Sequence, residues 1–170
     1  QNRFFDPDSK LMDNFSSVHF DTIDIVELAI ASGARYLHFP AIGEDGFALF
    51  GTTDNEFNSV NTAAKRDFVG ELASTCEYNG IGLILECNLG SELMRHPAGP
   101  GAAEIHDYLE RVREQLHTLL ISCGPIAGIA FSGIESIRGR EAEFELESLY
   151  KMVGIIQPQC LVSFQQGLNG

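Results

Sequence analysis

The stretch CGPIAGIAFS, residues 123–132, carries the pattern from which the fold of this 170-residue chain is predicted. Cys123-Gly124-Pro125 ends an amphipathic helix predicted from about Ala102 to Ser122, because glycine and proline interrupt helical geometry. The residues that follow, 126–131, are nearly all apolar and are typical of a short buried strand. Helix, break and apolar strand therefore form one unit.

The same unit recurs three more times. Strands are predicted over residues 36–39, 81–85 and 160–164, and helices over 21–32, from Asn61 or Thr62 to Gly80, and over 143–156. Short apolar strands of this kind pair in parallel beneath covering helices, so the sequence predicts an α/β protein. An open doubly wound sheet and a section of a (β/α) barrel both fit this order.

The length favours a partial barrel. A complete eight-stranded barrel typically needs about 250 residues, and residues 1–17 show no sustained hydrophobic period. We therefore expect an irregular lead-in over residues 1–17. Over residues 18–170 we expect parallel βα units that form part of a (β/α)8 TIM-type barrel.

Composition excludes several classes of function. The formal net charge of −13 disfavours nucleic acid as a partner, since phosphate binding needs clustered Lys and Arg. No apolar run reaches the ~20 residues of a membrane span, so no membrane insertion is expected. The four cysteines have no zinc-site spacing and are predicted to be buried free thiols. The histidines lack metal-site spacing, and neither a metal nor a cofactor is predicted.

Candidate ligand-binding residues lie where the predicted strands end. In both candidate architectures ligands meet the carboxyl ends of the strands. Five polar residues in or near those stretches are the candidates: Glu44, Asp45, Asn88, His96 and Gln165.

Three long stretches resemble a known family. They are residues 32–88 (SGARYLHFPAIGEDGF through GLILECN), 124–136 (GPIAGIAFSGIES) and 147–167 (ESLYKMVGIIQPQCLVSFQQG). In this order they resemble the retaining α-L-fucosidases over roughly residues 15–170. The resemblance implies a (β/α)8 barrel, a carbohydrate ligand and an enzyme of the glycosidase class acting on α-L-fucosides. It also suggests a secreted or periplasmic location.

The nucleophile and several other site residues of that family are replaced here, whereas the family's acid/base residue usually lies beyond the matched stretch. The resemblance places the nucleophilic Asp of the family on Ser132, and a hydroxyl has no charge to stabilise an oxocarbenium-like centre. Other family residues, the paired His, an Asp-Trp and a Trp, fall on Gly43, Glu44, Leu93, Met94 and Ala130, and the chain has no Trp. We therefore predict a catalytically degenerate fucosidase-like protein with a binding or structural role.

What the chain retains of the family is predicted to be scaffold. Asp45-Gly46-Phe47, residues 57–61 and Lys65-Arg66-Asp67 match the family pattern. Loop geometry, helix capping and an ion pair at a helix end account for such residues without a ligand.

Two alternatives stay open. Glu86 and Glu135 could form a displaced catalytic pair, although the sequence favours two solvated loop carboxylates over such a pair. The chain would then be an active glycoside hydrolase with relocated carboxylates, or one whose site is completed by residues beyond 170. The second alternative is a subunit of an assembly with another protein or with itself, because a partial barrel leaves sheet edges open.

Overall fold

The computed structural model describes residues 10–53, 56–90, 93 and 99–165. Helices and strands alternate through most of this part of the chain. The helices are α1 (Lys10–Asn14), α2 (Thr22–Ala31), α3 (Phe68–Asn79), α4 (Ala102–Ser122) and α5 (Leu146–Ile156). The strands are β1 (Tyr36–Ile42), β2 (Gly82–Asn88), β3 (Gly128–Ser132) and β4 (Leu161–Phe164).

The four strands form one parallel sheet in the order β1-β2-β3-β4. A doubly wound sheet reverses its strand order at a switch point, whereas successive right-handed crossovers in one direction place every helix on the same face. The observed order has no reversal, so the predicted α/β class is confirmed in its barrel form. β2 extends three residues beyond its predicted end and so carries Glu86 and Asn88 within the sheet.

Local capping signals set the helix starts that the sequence predicted well. The Asp21 carboxylate accepts hydrogen bonds from the amides of Ile23 and Asp24, at 2.8 and 3.2 Å, and so begins α2. Val26 and Ala29 are buried on its core side, whereas Leu28 is 71% exposed. Helix α4 has its predicted bounds.

The predicted start of α3 is wrong. A 3-10 turn, Ser59–Asn61, forms first, because the Asn58 side chain accepts from the amides of Val60 and Asn61. Lys65 then takes a left-handed conformation, φ 52°, which no α-helix contains. Asp67 caps the helix proper through the Gly70 amide, 2.7 Å away.

Two other predicted segments differ in the structure. Glu145 is also left-handed, φ 47°, and divides the helix predicted over residues 143–156 into a 3-10 turn, Glu141–Phe144, and α5. The expected irregular lead-in contains the short helix α1. The Met12 carbonyl accepts from the Ala63 amide, and the Phe15 ring contacts that of Phe68, so this segment packs against the start of α3.

Alternation along the strands separates two faces of the sheet. Leu83, Leu85 and Cys87 of β2 point into the core beneath the helices, as do Ile129 and Phe131 of β3. The intervening residues occupy the opposite face, which we call the inner face. In the part of the chain that the structure describes, its members are Tyr36, His38, Pro40, Gly82, Ile84, Glu86, Asn88, Gly128, Ala130, Ser132, Leu161 and Ser163.

The retained family residues around Arg66 are structural, as predicted. The Arg66 guanidinium pairs with the Glu71 carboxylate, and its two terminal nitrogens donate to the carbonyls of Ser17 and Phe20, each at 3.1 Å. The Glu71 hydrogen bond, as the largest cause, raises the pKa of Arg66. Arg66 therefore joins the segment before α2 to the first turn of α3.

All four cysteines are free and buried, as predicted. Burial raises the pKa of the Cys87 thiol to about 12 and those of Cys123 and Cys160 to about 11. None of the helices in the described ranges is long and apolar enough to cross a membrane.

Candidate functional site

A cleft of about 340 Å³ opens at the carboxyl ends of the strands. Pro40 and Ile42 of β1, together with Gly43 and Gly133, form part of its wall. Six residues singled out from the sequence also line it: Glu44, Glu86, Asn88, Ser132, Glu135 and Gln165. The structure therefore brings together residues up to 121 positions apart in the chain, between Glu44 and Gln165.

Strand register explains why these residues meet. Glu86 stands level with Pro40 on one side and Ala130 on the other. One step nearer the carboxyl end, Asn88 stands level with Ser132. Residues two apart on a strand share a face, so the inner face presents a row at Glu86 and a second row at Ser132.

Ser132 lines the cleft and is 7% exposed. The Asn88 side-chain amide donates to its hydroxyl oxygen across 3.4 Å. An amide hydrogen-bond donor cannot remove the proton of a hydroxyl, whereas a serine nucleophile needs an adjacent base to do so. The contact that the structure shows at Ser132 therefore gives its hydroxyl oxygen a hydrogen-bond partner but does not activate it as a nucleophile.

Glu86 and Glu135 both face the cleft. Glu86 projects from the inner face, and its Oε2 atom lies 3.3 Å from Nε2 of His38. Glu135 belongs to a 3-10 turn, Ile134–Ile137, that follows β3 after the left-handed Gly133. Both carboxylates line one cleft and Glu135 is exposed, so the relocated-carboxylate alternative stays a hypothesis.

Asp45 is separated from the other candidates. The backbone turns sharply here, since the Gly43 amide donates to the Phe47 carbonyl at 3.0 Å. The Asp45 carboxylate accepts from the Phe47 amide at 3.1 Å and lines a different hollow, with Phe15, Phe47 and Phe57. Its observed contact thus stabilises the turn, while Glu44 reaches the cleft.

The remaining predicted positions are of two kinds. Leu93 packs against the hydrophobic core and Ala130 is buried within β3, so neither supplies a polar group to the cleft. His96 and Met94 lie outside the described residues.

The cleft lining is acidic. Glu44, Glu86 and Glu135 contribute three carboxylates, and the lining residues that the structure describes include neither Lys nor Arg. Such a lining repels anionic ligands and suits a neutral polyol, whose hydroxyls donate to carboxylates. Within the described ranges, no three His, Cys, Asp or Glu side chains are grouped so as to hold a metal ion.

Sequence reasoning missed His38. It was considered only as a metal ligand, for which it has no suitably spaced partner. Alternation along β1 places it on the inner face with Pro40, and alternation along β2 does the same for Glu86. Those two patterns were present in the sequence, but pairing them required the register between the strands.

Comparison with known proteins identifies the family. The alpha-L-fucosidase family model matches residues 5–131. A comparison with curated proteins finds no match.

Solved structures of alpha-L-fucosidases share the fold. AlfC from Lactobacillus casei, in complex with alpha-L-fucose product, superposes with a TM-score of 0.74 at 24% identity, over 90% of this chain and 54% of its own. The enzyme from Vibrio sp. strain EJY3 superposes with a TM-score of 0.78 at 21% identity, over 90% of this chain and 28% of its own. Isoenzyme 1 from Paenibacillus thiaminolyticus superposes with a TM-score of 0.77 at 23% identity, over 90% of this chain and 40% of its own.

At these identities the likeness shows the fold alone, and the chain spans about half of AlfC and less of the other two. The sequential parallel sheet is thus part of a (β/α)8 barrel. With the family model matching most of the sequence, this chain belongs to the alpha-L-fucosidase family.

Proposed function

We propose that this chain is a catalytically degenerate member of the family that binds a neutral sugar at the strand-end cleft without hydrolysing it. The observation that carries the proposal is Ser132. It stands where the resemblance expects the nucleophilic carboxylate, it is 7% exposed, and its hydroxyl accepts from the Asn88 amide.

The chemistry of the cleft supports binding without hydrolysis. A retaining glycosidase needs a carboxylate at the anomeric carbon and a second carboxyl acid about 5 Å from it. A serine hydroxyl cannot replace the first, because it is neutral and its observed neighbour is a donor. Asn88, Gln165 and the cleft carboxylates still offer hydrogen-bond donors and acceptors for sugar hydroxyls.

Two measurements test this function. We expect the chain to release no p-nitrophenol from p-nitrophenyl α-L-fucoside above the uncatalysed rate. We expect titration with free L-fucose to shift the NMR amide signals of Asn88 and Ser132 while leaving those of α4 unchanged. Turnover that disappears in Glu86→Gln or Glu135→Gln would contradict a degenerate site, and unchanged spectra at high fucose would contradict binding.

A second function is favoured by one observation. Glu86 and Glu135 line the same cleft, as an active glycoside hydrolase with relocated carboxylates requires. Such an enzyme would lose turnover in either Gln variant and keep it in Ser132→Ala. The degenerate protein would show no turnover in any of the three.

The surface also supports a proposed role in an assembly. Within the described sheet, β1 and β4 each pair along one edge only. Exposed apolar side chains lie on α2, α5 and β4, including Leu28, Tyr150, Ile155 and Leu161. Edges and apolar groups of this kind bind other chains, and here we propose a protein partner or a second copy. Multi-angle light scattering tests self-association: a concentration-independent monomer would exclude the second copy.

A further inference from the structure

The row of the inner face that contains Glu86 leaves this carboxylate with few possible partners. At its level stand Pro40 and Ala130, whose side chains have no hydrogen-bonding groups. The row below supplies a nitrogen partner for it, since His38 stands there level with Ile84. Its Nε2 atom lies 3.3 Å from Oε2 of Glu86.

Glu86 and His38 differ in their relation to the cleft. Glu86 lines it, with 30% of its side chain exposed, whereas His38 is not among the lining residues that the structure describes. An imidazole that carries a proton on Nε2, 3.3 Å from one carboxylate oxygen, favours the rotation in which that oxygen faces the ring. Once Oε2 is held by the imidazole, Oε1 is the atom that remains for a ligand.

We propose that His38 is a positioning residue: it holds Oε2 of Glu86 so that Oε1 accepts a hydrogen bond from a hydroxyl of a neutral sugar in the cleft. This role rests on the proposed sugar-binding function. In this proposal Glu86 accepts the hydrogen bond from the ligand. His38 does not contact the ligand and affects binding only through its contact with Glu86.

Three variants separate this role from a purely structural one. His38→Phe removes the donor, and we expect it to weaken the binding of L-fucose about tenfold, the effect of losing one well-placed hydrogen bond. His38→Gln keeps an N–H donor at similar reach, and we expect affinity within about threefold of wild type. In a Glu86→Ala background, His38→Phe should cause no further loss, because the two residues act as a unit.

His106→Phe is the matched control, since His106 is exposed and belongs to helix α4 and not to a strand of the inner face. Affinity for L-fucose is measured by NMR titration of the full chain, with circular dichroism to establish folding. If His38→Phe does not fold, the His38 ring nitrogen shifts of wild type decide: a change on fucose addition supports the role, and no change overturns it.

The outcomes distinguish the two proposals. Wild-type binding that His38→Phe leaves unaffected would overturn the positioning role alone, as would additive losses in the double variant. A wild-type protein that does not bind L-fucose would overturn the sugar-binding function, and the positioning role with it.

Discussion

Asn88 and Ser132 stand level with each other on β2 and β3, and the Asn88 amide donates to the Ser132 hydroxyl across 3.4 Å. Both residues line the cleft, and the resemblance places a nucleophile at Ser132. A cross-strand polar contact of this kind stabilises the sheet, and it does so whether or not a sugar is bound.

The first prediction is that this contact contributes to stability. Ser132→Ala should lower the free energy of unfolding by about 1 kcal/mol, the net worth of one neutral hydrogen bond. In a double-mutant cycle with Asn88→Ala, measured by urea denaturation, the two effects should not be additive. Additive effects would show that the 3.4 Å contact contributes nothing.

Gln157 gives the second prediction. This side chain is 7% exposed and accepts from the Ile126 amide at 3.1 Å. Its amide nitrogen donates to the carbonyls of Leu120 and Gly124, at 2.6 and 2.8 Å, and so joins the end of α4 to the approach to β3. Gln157→Leu leaves two buried backbone groups and the part-buried Gly124 carbonyl without this partner, and it should cost about 3 kcal/mol.

Chemical denaturation measures that cost. Gln159→Leu is the control, because Gln159 is exposed and its side-chain amide donates to Gln157 Oε1 at 2.8 Å. We expect a change of about 0.5 kcal/mol or less for the control. Equal losses in the two variants would refute a special role for Gln157.

Arg66 is the subject of the third prediction. Its guanidinium binds Glu71 and two carbonyls at once, and its charged carbon lies 5.1 Å from the centre of the Phe68 ring. A lysine ammonium has no planar fork and cannot make these contacts together. Arg66→Lys should therefore lower the melting temperature nearly as much as Arg66→Met.

Differential scanning calorimetry tests this ranking. The control is Arg138→Lys, since Arg138 is exposed and follows a 3-10 turn rather than joining two helices. A melting temperature for Arg66→Lys that equals that of wild type would show that charge alone, and not the geometry of the guanidinium, accounts for the contribution of Arg66.

Local signals account for what the sequence predicted well. Asp21 and Gly33 mark the ends of α2, and the apolar strands with intervening helices identify the α/β class, because each of these patterns acts within a few residues. The starts of α3 and α5 were predicted wrongly for the opposite reason. The left-handed conformations of Lys65 and Glu145 have no signature in residue type.

The cleft could be predicted in part. Strand ends were the correct places to look, and alternation puts Glu86 and Asn88 on the same face. The contact between His38 and Glu86 joins residues 48 positions apart, from 38 to 86, and depends on the register of β1 with β2. The Asp45 side chain does not line the cleft, because a turn sets its direction. Turns lack the two-residue alternation from which the direction of a strand side chain can be predicted.

The last prediction concerns alkaline pH. Burial raises the pKa of Cys87 from 9.0 to about 12, and those of Cys123 and Cys160 to about 11. Above pH 9 these thiols ionise in the unfolded chain but stay protonated in the folded one. Stability is therefore complete below about pH 9 and falls as the pH rises toward 11, by about 1.4 kcal/mol per pH unit for each such thiol.

Urea denaturation at a series of pH values measures this slope. Cys87→Ala will be less stable at neutral pH because of the cavity it leaves, but its stability should fall less steeply above about pH 9, since one thiol fewer ionises on unfolding. The two proteins differ only at residue 87, so the difference between their slopes reports on that thiol. The same slope in the variant and in wild type would mean that Cys87 ionises alike in the folded and unfolded chains, contrary to its burial beneath the helices.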